Sequence, residues 1–223
     1  MTNNYHLAFT FPMNRDQDMH NTLIALLAAN MGDMLSPELA ADICVAAECL
    51  DRVVPMENIT LIPPEKCGDF VFSRERIEDI AEEIKLLHRA HWDETEEHRH
   101  GLPFDPDYAT FARYERAGRY VLFTVRKENR LCGNCAMYLD RSTHTQTVLA
   151  TEDTLYLLPL ARTGRVARRF VGYVEKAMRL LGASEIHITV KTVNKAGRFL
   201  RMLGYSHVED GLIKILETEN VQF

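Results

Sequence analysis

Residues 156–170 read Tyr156-Leu157-Leu158-Pro159-Leu160-Ala161-Arg162-Thr163-Gly164-Arg165-Val166-Ala167-Arg168-Arg169-Phe170. An apolar run ends in Pro, a short basic loop with one Gly follows, and helix-forming residues begin. Pro159 closes a strand because it has no N–H to give to a ladder. The N–H groups at the start of a helix point outward and carry partial positive charge, so this junction is an anion site in outline. Arg162, Arg165, Arg168 and Arg169 add full charges that could support a diphosphate. The alternative is a solvated basic helix face.

Working outward, Thr163 to Leu181 is a long amphipathic helix closed by Gly182. Upstream lie three strand-like runs, 119–126, 131–139 and 147–158, the first two joined by a tight turn at Glu128-Asn129. Downstream, 185–190 reads as a short buried strand, 194–203 as a helix ending at Gly204, and 205–216 as a last strand or hairpin. Further upstream, 69–72 is strand-like. Ile77, Ile80, Ala81, Ile84 and Leu87 keep a helical stripe that ends near Trp92, and 107–117 is a second helix stopped by Gly118. Short turns favour antiparallel pairing, while the strand–helix–strand from 148 to 190 favours a parallel crossover. The prediction is an α/β (α+β) domain with a mixed, mostly antiparallel sheet and helices on both faces. The first segment differs. Residues 21–30 are helix formers, and Ser36-Pro37 starts a second helix. Pro55 and Pro63-Pro64 then break the chain. The expected division is a helical N-terminal appendage over 1–65 and a second domain over 66–223.

The 223 residues carry 46% hydrophobic and 26% charged side chains, which excludes collagen, disordered tails and disulfide mini-scaffolds. No stretch approaches the ~20 apolar residues of a membrane helix. The first residues lack a basic n-region, and five Cys fall into no disulfide framework. The expectation is a cytoplasmic protein with reduced thiols and no membrane partner. The net charge is -6, which disfavours wholesale nucleic-acid binding. Within it, 71–97 has 9 acids against 4 bases, and 160–201 has 2 acids against 10 bases. The basic block points to a phosphate-bearing ligand; the acidic block suits a cationic partner or a solvated face.

Pro159 and Arg162 through Ala167 resemble the Arg/Gln-x-x-Gly-x-Gly/Ala hallmark of the GNAT superfamily of N-acetyltransferases, and Leu203-Gly204-Tyr205 is similar to that family's Leu-Gly-Phe/Tyr. The resemblance covers roughly residues 69–216 and extends, through His144-Thr145 and Glu152-Asp153, to GNAT proteins encoded by tailed phages, which would place the chain in a host cytoplasm. It implies a GNAT-like fold and acetyl-CoA as cofactor, held by Leu157, Leu158, Arg162, Thr163, Gly164, Arg165, Val166, Ala167, Arg168 and Asn194. It also implies an amine acceptor, protein or small molecule. Two departures stand out: Arg165 replaces the usual Gly, with Gly164 beside it, and Leu200 occupies the position of the usual Tyr acid.

Acetyl transfer needs a base for the amine proton, a donor for the oxyanion and a proton for the leaving sulfur. Glu152 and Asp153 on the central strand are base candidates, and alternation lets only one face the cleft. His144, in the preceding loop, is another. Tyr156, Tyr138 and Tyr205 are candidate acids or packed aromatics. Trp92, Glu94 and Glu96 fall where the resemblance places the acceptor site, and their carboxylates would attract a cation; Asp93 shares that helix end. Cys132-Gly133-Asn134-Cys135 is a C-x-x-C without a second pair, which reads as packed strand. His88, His91, His98 and His100 offer a weaker zinc reading. Two other classes remain open: a catalytically idle GNAT fold that binds a protein, and a nucleotide binder without acyl chemistry. The sequence leaves oligomeric state open, a homodimer included.

Overall fold

A computed structural model of the chain describes residues 23–50, 52–95, 103–192 and 194–214. It divides into two compact units between Arg52 and Val53. In the first, residues 23–29 are helical (α1) and α2 spans Pro37–Leu50. Ser36 caps α2 as its sequence predicts, its Oγ accepting the Leu39 N–H at 3.1 Å.

The second unit starts at Val53, thirteen residues before the division expected at 65/66. The reason is packing. Val54, Ile59 and Ile62, the last two on or just after a short helix α3 (Met56–Thr60), join Phe72 in the core. They enclose a six-stranded sheet in the order β1 to β6: β1 Glu65–Cys67, β2 Phe70–Glu75, β3 Tyr120–Lys127, β4 Arg130–Arg141, β5 Val148–Leu157 and β6 Ala183–His187. Every neighbouring pair is antiparallel except β5 and β6, which are parallel. The mixed, mostly antiparallel α/β sheet is thus as the sequence predicts, with β1 an addition. Glu128 and Asn129 both take positive φ in the β3–β4 turn, 51° and 63°.

Two helices, α4 (Ala81–Thr95) and α5 (Tyr108–Arg116), cover one face of the sheet around Ile84, Leu87, Ala112, Tyr120 and Leu122. The long helix α6 (Gly164–Leu180) covers the other, with Val166, Phe170, Tyr173, Val174, Ala177 and Met178 buried at helical spacing. Phe170 and Tyr173 meet Phe72 with ring centroids 5.4 and 6.0 Å apart. Burying Phe170 completely contributes about 2–3 kcal/mol. The last helix, α7, spans Ala196–Met202.

Two expectations at the C-terminal end are corrected. The strand read over 185–190 starts at Ala183 and ends at His187, and its Ser184, Glu185 and His187 are exposed rather than buried. The run 205–214 forms no strand, and Val208, Leu212 and Ile213 are exposed, so β6 is the sheet edge among the described residues. A run of this kind gains strand geometry only by pairing, and among the described residues it has no partner strand.

Gly118 ends α5 with φ +63°, and a Cβ there would sit 1.9 Å from the Val54 carbonyl oxygen. Gly118→Ala therefore combines a strained left-handed conformation with a backbone clash. The expected loss is about 2–4 kcal/mol of unfolding free energy, read as a lowered urea midpoint with unchanged slope.

Candidate active site

The site begins where β5 and β6 part. Their register runs from Val148↔Ala183 to Thr151↔His187 and stops, while β5 continues to Leu157. On its other side β5 stays paired with β4 throughout, with one irregularity: Thr154 faces Ala136 and Glu152 faces Met137, so Asp153 is an extra residue. A bulge of this kind bends its strand and increases its twist, which carries the end of β5 away from β6. The Leu158 N–H donates to the Cys132 carbonyl at 2.8 Å. Successive residues of an antiparallel strand turn their backbone groups to opposite neighbours. Leu155 and Leu157 therefore direct theirs toward the gap that β6 has left. Gly133 permits this approach: a Cβ there would lie 2.3 Å from the Leu157 side chain and 3.1 Å from the Tyr156 carbonyl oxygen.

Alternation separates the paired carboxylates, and the bulge decides which of them faces which side. Glu152 is half-buried and opposite Met137, on the α6 side. Asp153 lies on the α4 side, where the Tyr120 hydroxyl donates to it at 3.0 Å. Burial raises the Asp153 carboxyl above the usual range, and the Tyr120 bond only partly offsets this. Tyr138, edge-on to Tyr120, belongs to the same cluster, its phenol pushed up to about 12 by burial and by Asp153.

Tyr156 lies three residues further, on the α4 face. Its hydroxyl donates to Glu94 Oε2 at 3.1 Å, and Arg162 Nη2 donates to the same oxygen at 2.6 Å. The Arg162 guanidinium stands 5.1 Å from the Tyr156 ring centroid, and the His91 ring stacks on that ring at 5.1 Å. The Arg162 bond, with its charge, holds Glu94 below the ordinary carboxylate range, whereas burial and then Glu94 raise the Tyr156 phenol. Three residues read separately from the sequence, as acceptor, acid and cofactor contacts, thus share one cluster.

At the start of α6, the Thr163 hydroxyl accepts from the Val166 N–H at 3.4 Å, and its carbonyl accepts from Ala167 N–H at 2.9 Å. Those two donors are spent within the helix, and Val166 is buried in the core. Among the described residues the N–H groups of Gly164 and Arg165 have no acceptor, so they remain for an outside one. Arg165 and Arg168 are exposed, while Arg169 pairs with Glu65 on β1. Asn194 turns its Oδ1 onto the Ala196 N–H at the start of α7, 2.9 Å away. Trp92 packs beside Phe104, with centroids 5.7 Å apart.

Other expected residues fall elsewhere. His144 occupies the β4–β5 turn, its N–H on Ser142 Oγ, roughly 26 Å along β5 from Tyr156. That distance removes it from the cluster. Tyr205 follows α7, its N–H on the Leu200 carbonyl, and Leu200 is buried. Glu96, His98 and His100 lie outside the described residues. Cys132 and Cys135 are buried in the core, with free thiols. Tyr120 carries no motif, and in the sequence His91 stands only with the other histidines as a candidate zinc ligand; the spacing of three between His88, His91 and Glu94 on α4 is the legible sign of neighbouring side chains.

His88 is the buried member of that face. Its Nδ1 is 3.2 Å from the Tyr108 hydroxyl and its Nε2 3.3 Å from Asn134 Nδ2, which also donates to Thr154 Oγ1 at 2.6 Å. Burial, then the neighbouring His91, lowers its pKa to about 4. Unfolded His88 takes a proton near pH 6.5 and folded His88 only near 4. Stability should therefore fall as pH drops through that window, by at most ~3 kcal/mol from this group. His88→Gln should flatten that part of the urea-midpoint profile.

No protein-family model matches the sequence, and no curated protein matches it. Solved structures do. An aminoglycoside acetyltransferase, meta-AAC0020, from an uncultured soil metagenomic sample superposes with a TM-score of 0.54 at 13% identity, covering 70% of this chain and 100% of that one. The ribosomal-protein-alanine N-acetyltransferase of Brucella melitensis biovar Abortus 2308 gives 0.52 at 14% identity, over 66% and 99%. A transcriptional regulator from Bacillus halodurans C-125 gives 0.54 at 16% identity, over 66% and 99%. At such identities the likeness is one of architecture, and the architecture of this chain is the GNAT fold.

Proposed function

We propose that the chain is an acetyl-CoA-dependent N-acetyltransferase that acts on a primary amine of a cationic acceptor. The observation that carries this reading is the parted β5 edge beside the start of α6. An extended arm with amide groups needs strand backbone, which Leu155 and the Leu157 N–H offer, the Leu157 carbonyl being held by Arg162. A diphosphate needs N–H donors and cations, which Gly164, Arg165 and Arg168 offer. These residues fit acetyl-CoA, which supplies an acetyl group activated as a thioester.

The chain's own groups divide the remaining tasks. Asp153, its carboxyl raised by burial and held by Tyr120, is the base for the amine proton. A carboxylate closer to neutral accepts a proton more readily than an exposed one. Tyr156 keeps its proton at neutral pH and so has one to give to a leaving sulfur. The Leu157 N–H, turned into the gap, is placed to meet an oxyanion. The acidic balance of residues 71–97, 9 acids against 4 bases, favours a cationic acceptor, such as a lysine side chain, a protein N-terminus or a small amine.

Leu200, buried at the position of the family's usual Tyr, favours a second reading: a GNAT fold that binds without turnover. Thiol release from acetyl-CoA with a panel of amines separates the two. Turnover is expected, with kcat falling ~10²–10⁴-fold in Asp153→Asn and by a similar factor in Tyr156→Phe, both still folded by circular dichroism. CoA binding without thiol release would support the idle fold, and ATP binding in preference to CoA a nucleotide binder.

A further inference from the structure

The four arginines at the start of α6 have different surroundings. Arg169 is paired with Glu65, and Arg165 and Arg168 have no side-chain partner among the described residues. Arg162 turns back toward the sheet. Its Nε donates to the Leu157 carbonyl at 2.5 Å, its Nη2 to Glu94 Oε2 at 2.6 Å, and its plane lies beside the Tyr156 ring. Glu94 Oε2 is also the acceptor for the Tyr156 hydroxyl. One guanidinium therefore touches the end of β5, the phenol and the carboxylate at once.

We propose that Arg162 is a positioning residue that fixes Tyr156 and Glu94, and that phosphate binding falls to Arg165 and Arg168 with the Gly164 and Arg165 N–H groups. The assignment rests on the acetyltransferase reading above. Its physical basis is competition. A phosphate that took Arg162 would have to remove it from a carboxylate and a backbone carbonyl, both charge-assisted bonds. Arg165 and Arg168 give up no such partner, and their spacing of three puts them on one face of the first turn of α6. The planar fork of Arg162 also orients what it touches. Its Nε on the Leu157 carbonyl fixes the plane in which Nη2 holds the Glu94 oxygen, and that oxygen accepts the phenol.

CoA titration calorimetry tests this on the full chain, comparing wild type, Arg162→Gln, Arg162→Lys and the double variant Arg165→Ala/Arg168→Ala. Arg162→Gln should stay within about 3-fold of the wild-type Kd, while the double variant weakens it by about 10-fold or more. This comparison decides by itself and needs no acceptor. With an active amine, Arg162→Gln should lower kcat more than it raises KM. It should also move the acid limb of kcat/KM to higher pH, because Glu94 loses the cation that keeps it ionised. Arg162→Lys should restore part of both effects. Equal loss of CoA affinity in Arg162→Gln and the double variant would overturn the assignment alone. So would an unchanged pH profile in an active Arg162→Gln. Absence of CoA binding by folded wild type would overturn the acetyltransferase reading and the assignment together.

Discussion

The parting of β5 from β6 is the constraint on which the candidate site depends. Four register positions join the two strands, and then β5 runs on with one neighbour instead of two. Backbone donors and acceptors need partners, and a strand that loses a neighbour presents them to whatever enters the gap. The cause is local. The extra residue at Asp153 twists β5 while β4 remains paired with it to the end. The same bulge turns Asp153 toward Tyr120 and leaves Glu152 on the opposite face. Strand geometry and side-chain chemistry are thus set by one insertion.

The sheet also separates the charges that the sequence shows as blocks. The basic block supplies α6 and α7, and its exposed arginines stand at the start of α6. The acidic block is largely committed to neighbours. Arg126 holds Glu75 and Glu83, Lys85 holds Glu82, Arg89 holds Asp93, and Arg162 holds Glu94. Glu94 alone among these carboxylates also accepts a tyrosine, which places it in the cluster at the end of β5. The exposed pairs among these contribute at most ~1 kcal/mol each, so their role is one of placement rather than stability; Arg126 and Glu75 form a part-buried two-pronged pair.

Much of the architecture is legible in the residues. Ser36-Pro37 starts a helix, Asp107 caps α5 and Gly118 ends it, and Thr163 and Gly182 bound α6. These are local signals, each satisfied by a few bonds within one turn. The misreadings involve partners distant in sequence. Val54 and Ile59 join a core made mostly of later residues, which moves the domain boundary. Residues 205–214 have strand-like composition without a neighbour to pair with. His144 has suitable chemistry but lies at the far end of β5 from Tyr156.

The sequence alone determines the order of strands and helices from β2 to α7, the mixed pairing of the sheet and the strand–loop–helix junction at Pro159 to Arg168, because periodicity, caps and turn residues act within a few positions of themselves. The tertiary structure decides which arginine faces the sheet, which of Glu152 and Asp153 meets a tyrosine, and that Glu94, Tyr156 and Arg162 share one oxygen. Those three residues span 68 positions of chain. Their meeting depends on a bulge and on helix packing, which no local pattern encodes.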